Sequence, residues 1–143
     1  MARGFVSTAR VKASPDEVFA TLVDWERAPE WMAGIDSMAV TEGDGGVGST
    51  VTFRARGKDR TSAITEFEAG TSVTTVSTQG GITATYRYSV EPDGESAKIT
   101  LRAQCVADGL LWKAASPLIA TMMQRSDSGQ PDALRRLIES GEA

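Results

Sequence analysis

The sequence predicts an α+β fold built from one strand, two short helices, six further strands that complete an antiparallel sheet, and a long terminal helix. Three observations indicate this fold. A strand-like stretch leads directly into a well-capped helix, six segments rich in Thr and Val are joined by short turns, and the last third repeats apolar residues at helical spacing. Turns this short leave no room for crossover helices, so adjacent strands must run antiparallel.

The first strand and the first helix are predicted near the N-terminus. Residues 5–13, FVSTARVKA, alternate apolar and basic side chains, as a strand with one buried face does. Ser14 can then cap a helix, Pro15 suits its first turn, and Glu17 completes a capping box. The helix presents one apolar stripe, formed by Val18, Phe19, Leu22 and Val23.

A second short helix is predicted over residues 24–32, and it carries a group of aromatic and sulfur-bearing side chains. Pro29 limits how far either short helix can extend. Trp25 lies just after the first helix, where a packing anchor is expected. Trp31 and Met32 come where the chain crosses the mouth of the sheet, so we expect them to close one end of a cavity.

Six strands are predicted after Gly34, separated by turns that contain Gly, Asp or Pro. They correspond to residues 35–43, 49–57, 60–70, 71–81, 82–94 and 96–108. The last two alternate clearly, and one face collects their apolar side chains, namely Ile82, Ala84, Tyr86, Tyr88, Val90, Ile99, Leu101, Ala103 and Cys105. A sheet with one polar face needs an apolar layer on its other face.

The C-terminal third supplies that layer as a long amphipathic helix. Its apolar residues recur as pairs about every four positions, at Leu110, Leu111, Ala114, Ala115, Leu118, Ile119, Met122 and Met123. Pro117 is expected to kink this helix or to leave one carbonyl without its donor. The pattern breaks at Gly129 and restarts near Pro131.

Composition excludes several classes of function. A net charge of −4 and a pI near 4.9 argue against a nucleic-acid surface, which needs clustered cations to displace counterions. The length of 143 residues and the hydrophobic content of 41% fit one globular domain. No apolar run reaches the length of a membrane span, and the first residues lack the hydrophobic segment of a signal peptide. We therefore expect a cytoplasmic protein without stable membrane insertion.

The sequence contains no histidine and a single cysteine, Cys105. The usual zinc, copper and haem ligand sets cannot be assembled from such a chain. A catalytic Ser-His-Asp or Cys-His arrangement is also excluded. We therefore predict no metal and no cofactor, and we expect Cys105 to be a small buried apolar residue.

Three stretches carry a resemblance to a known family, namely VKASPDEVFATLVDWERAPEWMAGI, GDGGVGSTVTF and PDALRRLIE. With them the chain resembles the START-like, helix-grip superfamily known as SRPBCC, and it looks closest to the polyketide cyclase/dehydrase-like branch. The resemblance implies a strongly curved seven-stranded sheet wrapped around the C-terminal helix, with a cavity between them, as one ligand-binding domain over residues 1–143. Members include lipid and sterol carriers, hormone receptors, co-chaperones and aromatase/cyclases, so the fold alone does not fix the function.

The residues themselves also predict a cavity. The facing side chains of the sheet and the long helix are rich in Ala, Thr and Met, which leaves space between a curved sheet and one helix. Methionine adapts to irregular ligands, and an inward phenol needs a hydrogen-bond partner. The predicted ligand-binding residues are Trp31, Met32, Phe53, Tyr86, Tyr88, Trp112, Leu118, Met122 and Met123.

The candidates for proton transfer are Tyr86, Tyr88 and Glu66. The orientation of Glu66 depends on the strand register. A two-residue loop at 58–59 directs Glu66 inward, where desolvation would raise its pKa and make it a general base. A bulge between Ile64 and Phe67 instead directs Phe67 inward and Glu66 into solvent. We favour the bulge, because these two apolar residues have opposite parity along the strand.

Basic side chains are assigned to the solvated face of the sheet. This assignment covers the four around one predicted loop, Arg54, Arg56, Lys58 and Arg60. Arg87 and Arg102 also point to solvent by strand alternation. In cyclases of the resembled family an inward arginine helps to hold the substrate, so this assignment weighs against a cyclase.

Our leading hypothesis is a protein that binds a hydrophobic or aromatic small molecule, such as a lipid or a polyketide-like metabolite, in the cavity. One alternative is a polyketide cyclase- or dehydratase-type enzyme that moves protons with its tyrosines or Glu66. A second alternative is a protein-interaction module, which includes a homodimer. No nucleic-acid partner is predicted.

Overall fold

The computed structural model describes residues 2–141 and shows the predicted α+β architecture around a curved sheet of seven antiparallel strands. The strands are β1 (Ala2–Val11), β2 (Ile35–Glu42), β3 (Thr50–Ala55), β4 (Lys58–Glu68), β5 (Ser72–Gln79), β6 (Ile82–Asp93) and β7 (Ser96–Ala107). Strands β2 to β7 form a meander, and β1 pairs with β7, which gives the order β1-β7-β6-β5-β4-β3-β2. The α-helices are α1 (Pro15–Leu22), α2 (Leu110–Asp127) and α3 (Gln130–Glu139).

Helix α1 begins as the sequence predicts. The Ser14 hydroxyl accepts a hydrogen bond from the Glu17 N–H at 3.2 Å and so caps the helix. The predicted second short helix is a 3₁₀ helix, Trp25–Glu30. Pro29 has no N–H to bond the Trp25 carbonyl, so this segment cannot continue as an α-helix there.

The turn between β3 and β4 lies at residues 56–57, two residues before the predicted loop at 58–59. Ala55 pairs with Lys58 across it, and both turn residues have positive φ angles, 53° at Arg56 and 77° at Gly57. A two-residue hairpin turn of this kind needs positive φ at both positions, which glycine adopts without strain. The predicted loop is therefore wrong, and Gly57 explains where the turn falls.

The predicted bulge between Ile64 and Phe67 is confirmed. The β4–β5 register shifts between Ile64 and Glu66, so Ile64 and Phe67 both face the core. Phe67 packs edge-on against Phe19, with ring centroids 5.6 Å apart. Glu66 is exposed, and its carboxylate accepts a hydrogen bond from the Thr74 hydroxyl at 3.0 Å. The hypothesis of an inward Glu66 acting as a general base is therefore wrong.

The C-terminal helical region breaks at Gly129, as predicted, and forms α2 and α3. Pro117 lies inside α2, and the Lys113 carbonyl, which has no backbone donor at Pro117, accepts the Ser116 hydroxyl at 2.9 Å. Helix α3 buries Leu134, Leu137 and Ile138. Within residues 2–141 there is no helix with both the length and the apolarity to cross a membrane.

The inner face of the sheet is covered differently at its two ends. Helix α1, the 3₁₀ helix and α3 pack on one end and complete the main core, whose fully buried members include Leu22, Ile64, Ile99, Leu101 and Leu134. Helix α2 covers the other end loosely, because Ser116 is the one residue of this helix that is buried. Beneath α2 a small second cluster joins Ile82, Cys105 and Ala107 to Ile119, Ala120 and Met123. The loose cover leaves an unfilled space.

Candidate functional site

A cavity of about 550 Å³ lies between the inner face of the sheet and α2. Strands β2 to β6 form its floor, α2 forms one side, and the chain around the 3₁₀ helix forms the other. The inward side chains in the middle of the floor are small, namely Ala55, Ser62, Thr75, Ser77 and Ala84. Side chains of this size cannot reach α2 across a curved sheet, so the space stays open.

One wall of the cavity is apolar. Trp25 and Met32 come from the 3₁₀ helix and the turn after it, and both are buried. Inward residues of β2 and β3 continue this wall, namely Ile35, Met38, Val51 and Phe53. Trp112, Ile119, Met122 and Met123 face them from α2. Such a wall favours a ligand with an apolar body.

The opposite part of the floor is polar and includes an arginine. Arg60 pairs with Phe53 across the β3–β4 ladder, and paired residues point to the same face, so half-buried Arg60 lines the cavity. Arg56 lies on the rim, in the β3–β4 turn. The assignment of Arg60 to the solvated face is therefore wrong, because a two-residue turn makes even-numbered positions face outward on β3 and inward on β4, so Arg60 does not share the face of Arg54. Arg56 is exposed, as predicted. Arg54 does point to solvent and pairs with Asp59 at 3.1 Å.

A chain of hydrogen bonds closes the end of the cavity where α2 meets α3. The Tyr86 hydroxyl donates to the Asp127 carboxylate. The Gln130 amide donates to the other Asp127 oxygen at 3.3 Å, and the Tyr88 hydroxyl donates to the Gln130 amide oxygen at 2.6 Å. All four side chains also line the cavity. Both tyrosines therefore face inward, as strand alternation predicts, and they present a polar end to any molecule in the cavity.

Burial determines the protonation of this polar end. Desolvation raises the pKa of Tyr86 and of Tyr88 far above the ordinary value, and the nearby charge of Asp127 raises both pKa values further. Desolvation also raises the pKa of Asp127, while hydrogen bonds from Tyr86, Ser126 and Gln130 oppose that rise. At neutral pH both phenols are therefore protonated and act as hydrogen-bond donors.

Seven of the nine predicted ligand-binding residues line the cavity: Met32, Phe53, Tyr86, Tyr88, Trp112, Met122 and Met123. Trp31 lies behind the wall, where its ring packs edge-on against Tyr88 with centroids 6.0 Å apart, and its indole N–H makes no hydrogen bond within residues 2–141. Leu118 is 66% exposed on the outer side of α2, because the inward side of this helix runs through Trp112, Ile119 and Met123. Whether the seven residues bind a ligand stays a prediction.

The sequence reasoning missed Asp127 and Gln130. Asp127 stands in the last turn of α2, where a carboxylate opposes the helix dipole. That unfavourable placement is a signal that Asp127 has another partner, and the structure identifies the partner as Tyr86. Gln130 carried no comparable signal, since its burial depends on how α3 turns back after Gly129.

The described part of the chain offers few residues for metal binding or thiol chemistry. Residues 2–141 contain no group of three His, Cys, Asp or Glu side chains that could hold a metal ion. Cys105 is buried beneath α2, and desolvation raises the pKa of its thiol. It is therefore a packing residue, outside the cavity wall.

A family model described as polyketide cyclase/dehydrase and lipid transport matches residues 3–139. No curated protein sequence matches the chain. Among solved structures, the Zhui aromatase/cyclase from Streptomyces sp. R1128 superposes with a TM-score of 0.80 at 14% identity, covering 99% of this chain and 98% of that chain.

Two further solved structures show the same architecture. A START superfamily protein from Mycobacterium smegmatis gives a TM-score of 0.76 at 16% identity, covering 96% of this chain and 97% of that chain. Norcoclaurine synthase from Thalictrum flavum gives 0.72 at 18% identity, covering 100% of this chain and 90% of that chain. Identities this low establish a shared fold and nothing about the ligand.

Proposed function

The chain belongs to the polyketide cyclase/dehydrase and lipid transport family, and from this we propose that it binds one amphipathic small molecule between the sheet and α2. The ligand has an apolar or aromatic body, as a lipid or a polyketide-like metabolite does, and one oxygen-bearing end. The observation that supports this is the union of an apolar wall and a buried polar end in one cavity of about 550 Å³.

The two parts of the cavity have different tasks. The apolar wall supplies affinity, since each Å² of apolar surface removed from water contributes about 25 cal/mol. The polar end supplies orientation, because a ligand hydroxyl there can donate to the phenol oxygens of Tyr86 and Tyr88, whose own protons are donated to Asp127 and Gln130. A ligand with no polar end gains no hydrogen bond from these hydroxyls.

Two proteins with the same fold support a ligand of this class. The norcoclaurine synthase structure is a complex with dopamine and hydroxybenzaldehyde. The Zhui protein is an aromatase/cyclase. Both are consistent with a mixed apolar and oxygen-bearing ligand for this chain, although the ligands themselves belong to those proteins.

Binding of a fluorescent probe tests the proposal. Anilinonaphthalene sulfonate, which combines aromatic rings with one anionic end, should bind saturably, and oleate or the aromatic polyketide emodin should displace it. Ala84→Phe places a ring in the cavity and should weaken probe binding at least about tenfold. Thr85→Phe, on the opposite face of the same strand, is the matched control and should bind normally. Equal binding by both variants would contradict the proposal.

A cyclase- or dehydratase-type activity is the second candidate, and inward Arg60 favours it. In such a ring closure a base takes a proton from a carbon between two carbonyls. The electron pair of that carbon forms the new bond to another carbonyl carbon, whose oxygen takes a proton. Asp127 is the candidate base, Tyr86 or Tyr88 the candidate acid, and Arg60 would hold a ligand oxygen. Exposed Glu66 takes no part.

The product profile of a poly-β-ketone thioester analogue tests this second candidate. Asp127→Asn and Arg60→Gln should each return the profile to that of the spontaneous reaction. Arg54→Gln, which alters a solvent-facing arginine, should leave it unchanged. Identical profiles from wild type, variants and buffer would remove the enzyme hypothesis and leave ligand binding in place.

The proposal covers the whole chain as one ligand-binding domain over residues 1–143, which the family match over residues 3–139 supports. The cytoplasmic location, the absence of a cofactor and the homodimer stay predictions. Cell fractionation would test the location, and sedimentation velocity would test the homodimer.

A further inference from the structure

Strands β4 and β5 separate from each other toward one end of the sheet. Their pairing runs as far as Ala63 and Val76, and the described chain shows no β4–β5 pair beyond these two residues. Each strand continues on its other partner, β4 on β3 back to Lys58 and β5 on β6 as far as Gln79. The β3–β4 hairpin and the β5–β6 hairpin therefore diverge beyond this point.

The space between the two hairpins is a slot of about 420 Å³, lined by residues 58–61 of β4 and 77–79 of β5, which we call the β4–β5 slot. Consecutive residues of a strand point alternately to its two faces, so the slot is lined from both faces and passes through the sheet. Across it, the Ser77 hydroxyl donates to the Thr61 carbonyl oxygen at 2.9 Å. A side chain there takes the place of a backbone donor.

The β4–β5 slot adjoins the cavity. Arg60, Ser77 and Gln79 line both spaces, so a molecule in the cavity can extend between the two strands. The slot is also remote from the polar end that the tyrosines form. Along β6, Tyr86 lies four residues from Ile82, the partner of Gln79, which is about 13 Å of strand.

The lining of the β4–β5 slot is polar throughout and contains two cations, Lys58 and half-buried Arg60. Neither cation forms an ion pair within residues 2–141. Asp59 also lines the slot, but its carboxylate pairs with Arg54 at 3.1 Å. An apolar chain gains nothing in such a slot, whereas an acidic group would accept charge-assisted hydrogen bonds from both cations.

We propose that the β4–β5 slot is a second subsite, which holds an acidic end of the ligand while the apolar body lies in the cavity. This inference rests on the proposed function and adds to its ligand a carboxylate, sulfate or phosphate at the end remote from the tyrosines. Because the slot passes through the sheet, a ligand longer than the cavity can be bound with its acidic end in contact with water.

Two fluorescent probes that differ in one charge test the inference. Dansylaminoundecanoic acid has an aromatic end, an apolar chain and a carboxylate, and its methyl ester lacks the negative charge. The wild type should bind the acid at least about fivefold more tightly than the ester, and added salt should reduce this preference. Lys58→Glu should remove the preference and leave ester binding unchanged. Lys98→Glu makes the same change in net charge at an exposed position of β7, so it should keep the preference.

Filling the slot is the second test. Thr78→Phe places a ring in the slot and should also remove the preference for the acid. Thr83→Phe is the matched control, because Thr83 pairs with Thr78 on the same face but does not line the slot, and it should keep the preference. A preference that survives in either slot variant, or a wild type that binds acid and ester equally, would overturn this inference alone. Failure of both probes to bind would overturn the proposed function and this inference with it.

Discussion

Tyr86 and Tyr88 are two residues apart on one strand, and they form the chemically distinct part of an otherwise ordinary interior. They differ in their partners, because Tyr86 donates to a carboxylate and Tyr88 to an amide oxygen. They have the same orientation for the same reason, since strand alternation turns both side chains inward under the α2–α3 junction. At the scale of single residues, the site is therefore two phenols that burial keeps protonated and that donate to Asp127 and to Gln130.

These phenols should stay protonated in the folded protein well above pH 10. The chain contains two tyrosines in all, so the absorbance of tyrosinate reports on this pair alone. Because the folded pKa lies above the unfolded value of 10.0, stability should fall as the pH rises past 10. We expect tyrosinate to appear together with loss of far-ultraviolet circular dichroism. A gradual titration near pH 10 in folded protein would contradict the buried geometry.

Asp127 should make stability depend on pH in the opposite direction to most carboxylates. Its pKa is raised above 3.8 in the fold, so the native state binds a proton more readily than the unfolded state. Stability should therefore fall as the pH rises from about 3.8 through the raised value. Urea unfolding measured across that range should show no such decline for Asp127→Asn. Asp132→Asn should keep the decline, since arginine hydrogen bonds lower the pKa of Asp132 and its carboxylate does not cause it.

Among the secondary-structure elements, the β5–β6 turn fixes the position of α2, because it packs against the start of that helix. The Trp112 ring lies on Gly80 and Gly81, and a Cβ on Gly81 would be 2.2 Å from Trp112 Cδ1 and 2.4 Å from the Asp108 carbonyl oxygen. The Asp108 N–H also donates to the Gly81 carbonyl at 2.7 Å. This contact fixes α2 to the sheet at one end of the cavity.

Gly81→Ala should therefore displace Trp112 and loosen α2. We expect a loss of about 1 to 3 kcal/mol in the free energy of unfolding and a red shift in tryptophan emission. Gly129→Ala is a useful comparison, since nothing lies within 4 Å of a Cβ there and its φ is −84°. It should cost under about 1 kcal/mol. Equal losses in the two variants would show that the contact with Trp112 does not matter.

Elements were predicted better than the orientation of side chains at their ends. The cap at Ser14, the bulge before Phe67 and the break at Gly129 each depend on local chemistry that a short stretch of sequence contains. Arg60 was misplaced because it was grouped with Arg54, although even-numbered positions face outward on β3 and inward on β4 after a two-residue turn. Asp127 was missed because its partner is 41 residues away in sequence, and only the packing of α2 over β6 brings the two together.

The molecule as a whole has a densely packed end and an open end. Helices α1 and α3 fill one end of the curved sheet, and α2 alone covers the other. This asymmetry has a physical consequence, because a protein with an unfilled apolar space gains stability when something suitable fills it.

A bound ligand should raise the melting temperature. At a free concentration of one hundred times Kd, the gain is about 2.7 kcal/mol, which corresponds to a rise of about 5 to 10 °C for a chain of this size. Tryptophan fluorescence during heating with oleate or emodin would measure it. Ala84→Phe should show no rise, and a rise of equal size in this variant would place the ligand outside the cavity.

Cys105 lies at the bottom of the small cluster that α2 covers, and the sequence has no second thiol to confuse its signal. A thiol reagent in solution can reach it only during moments when that helix lifts from the sheet. The labelling rate of the native protein therefore measures how often α2 opens. A ligand that bridges α2 and the sheet should slow the labelling of Cys105.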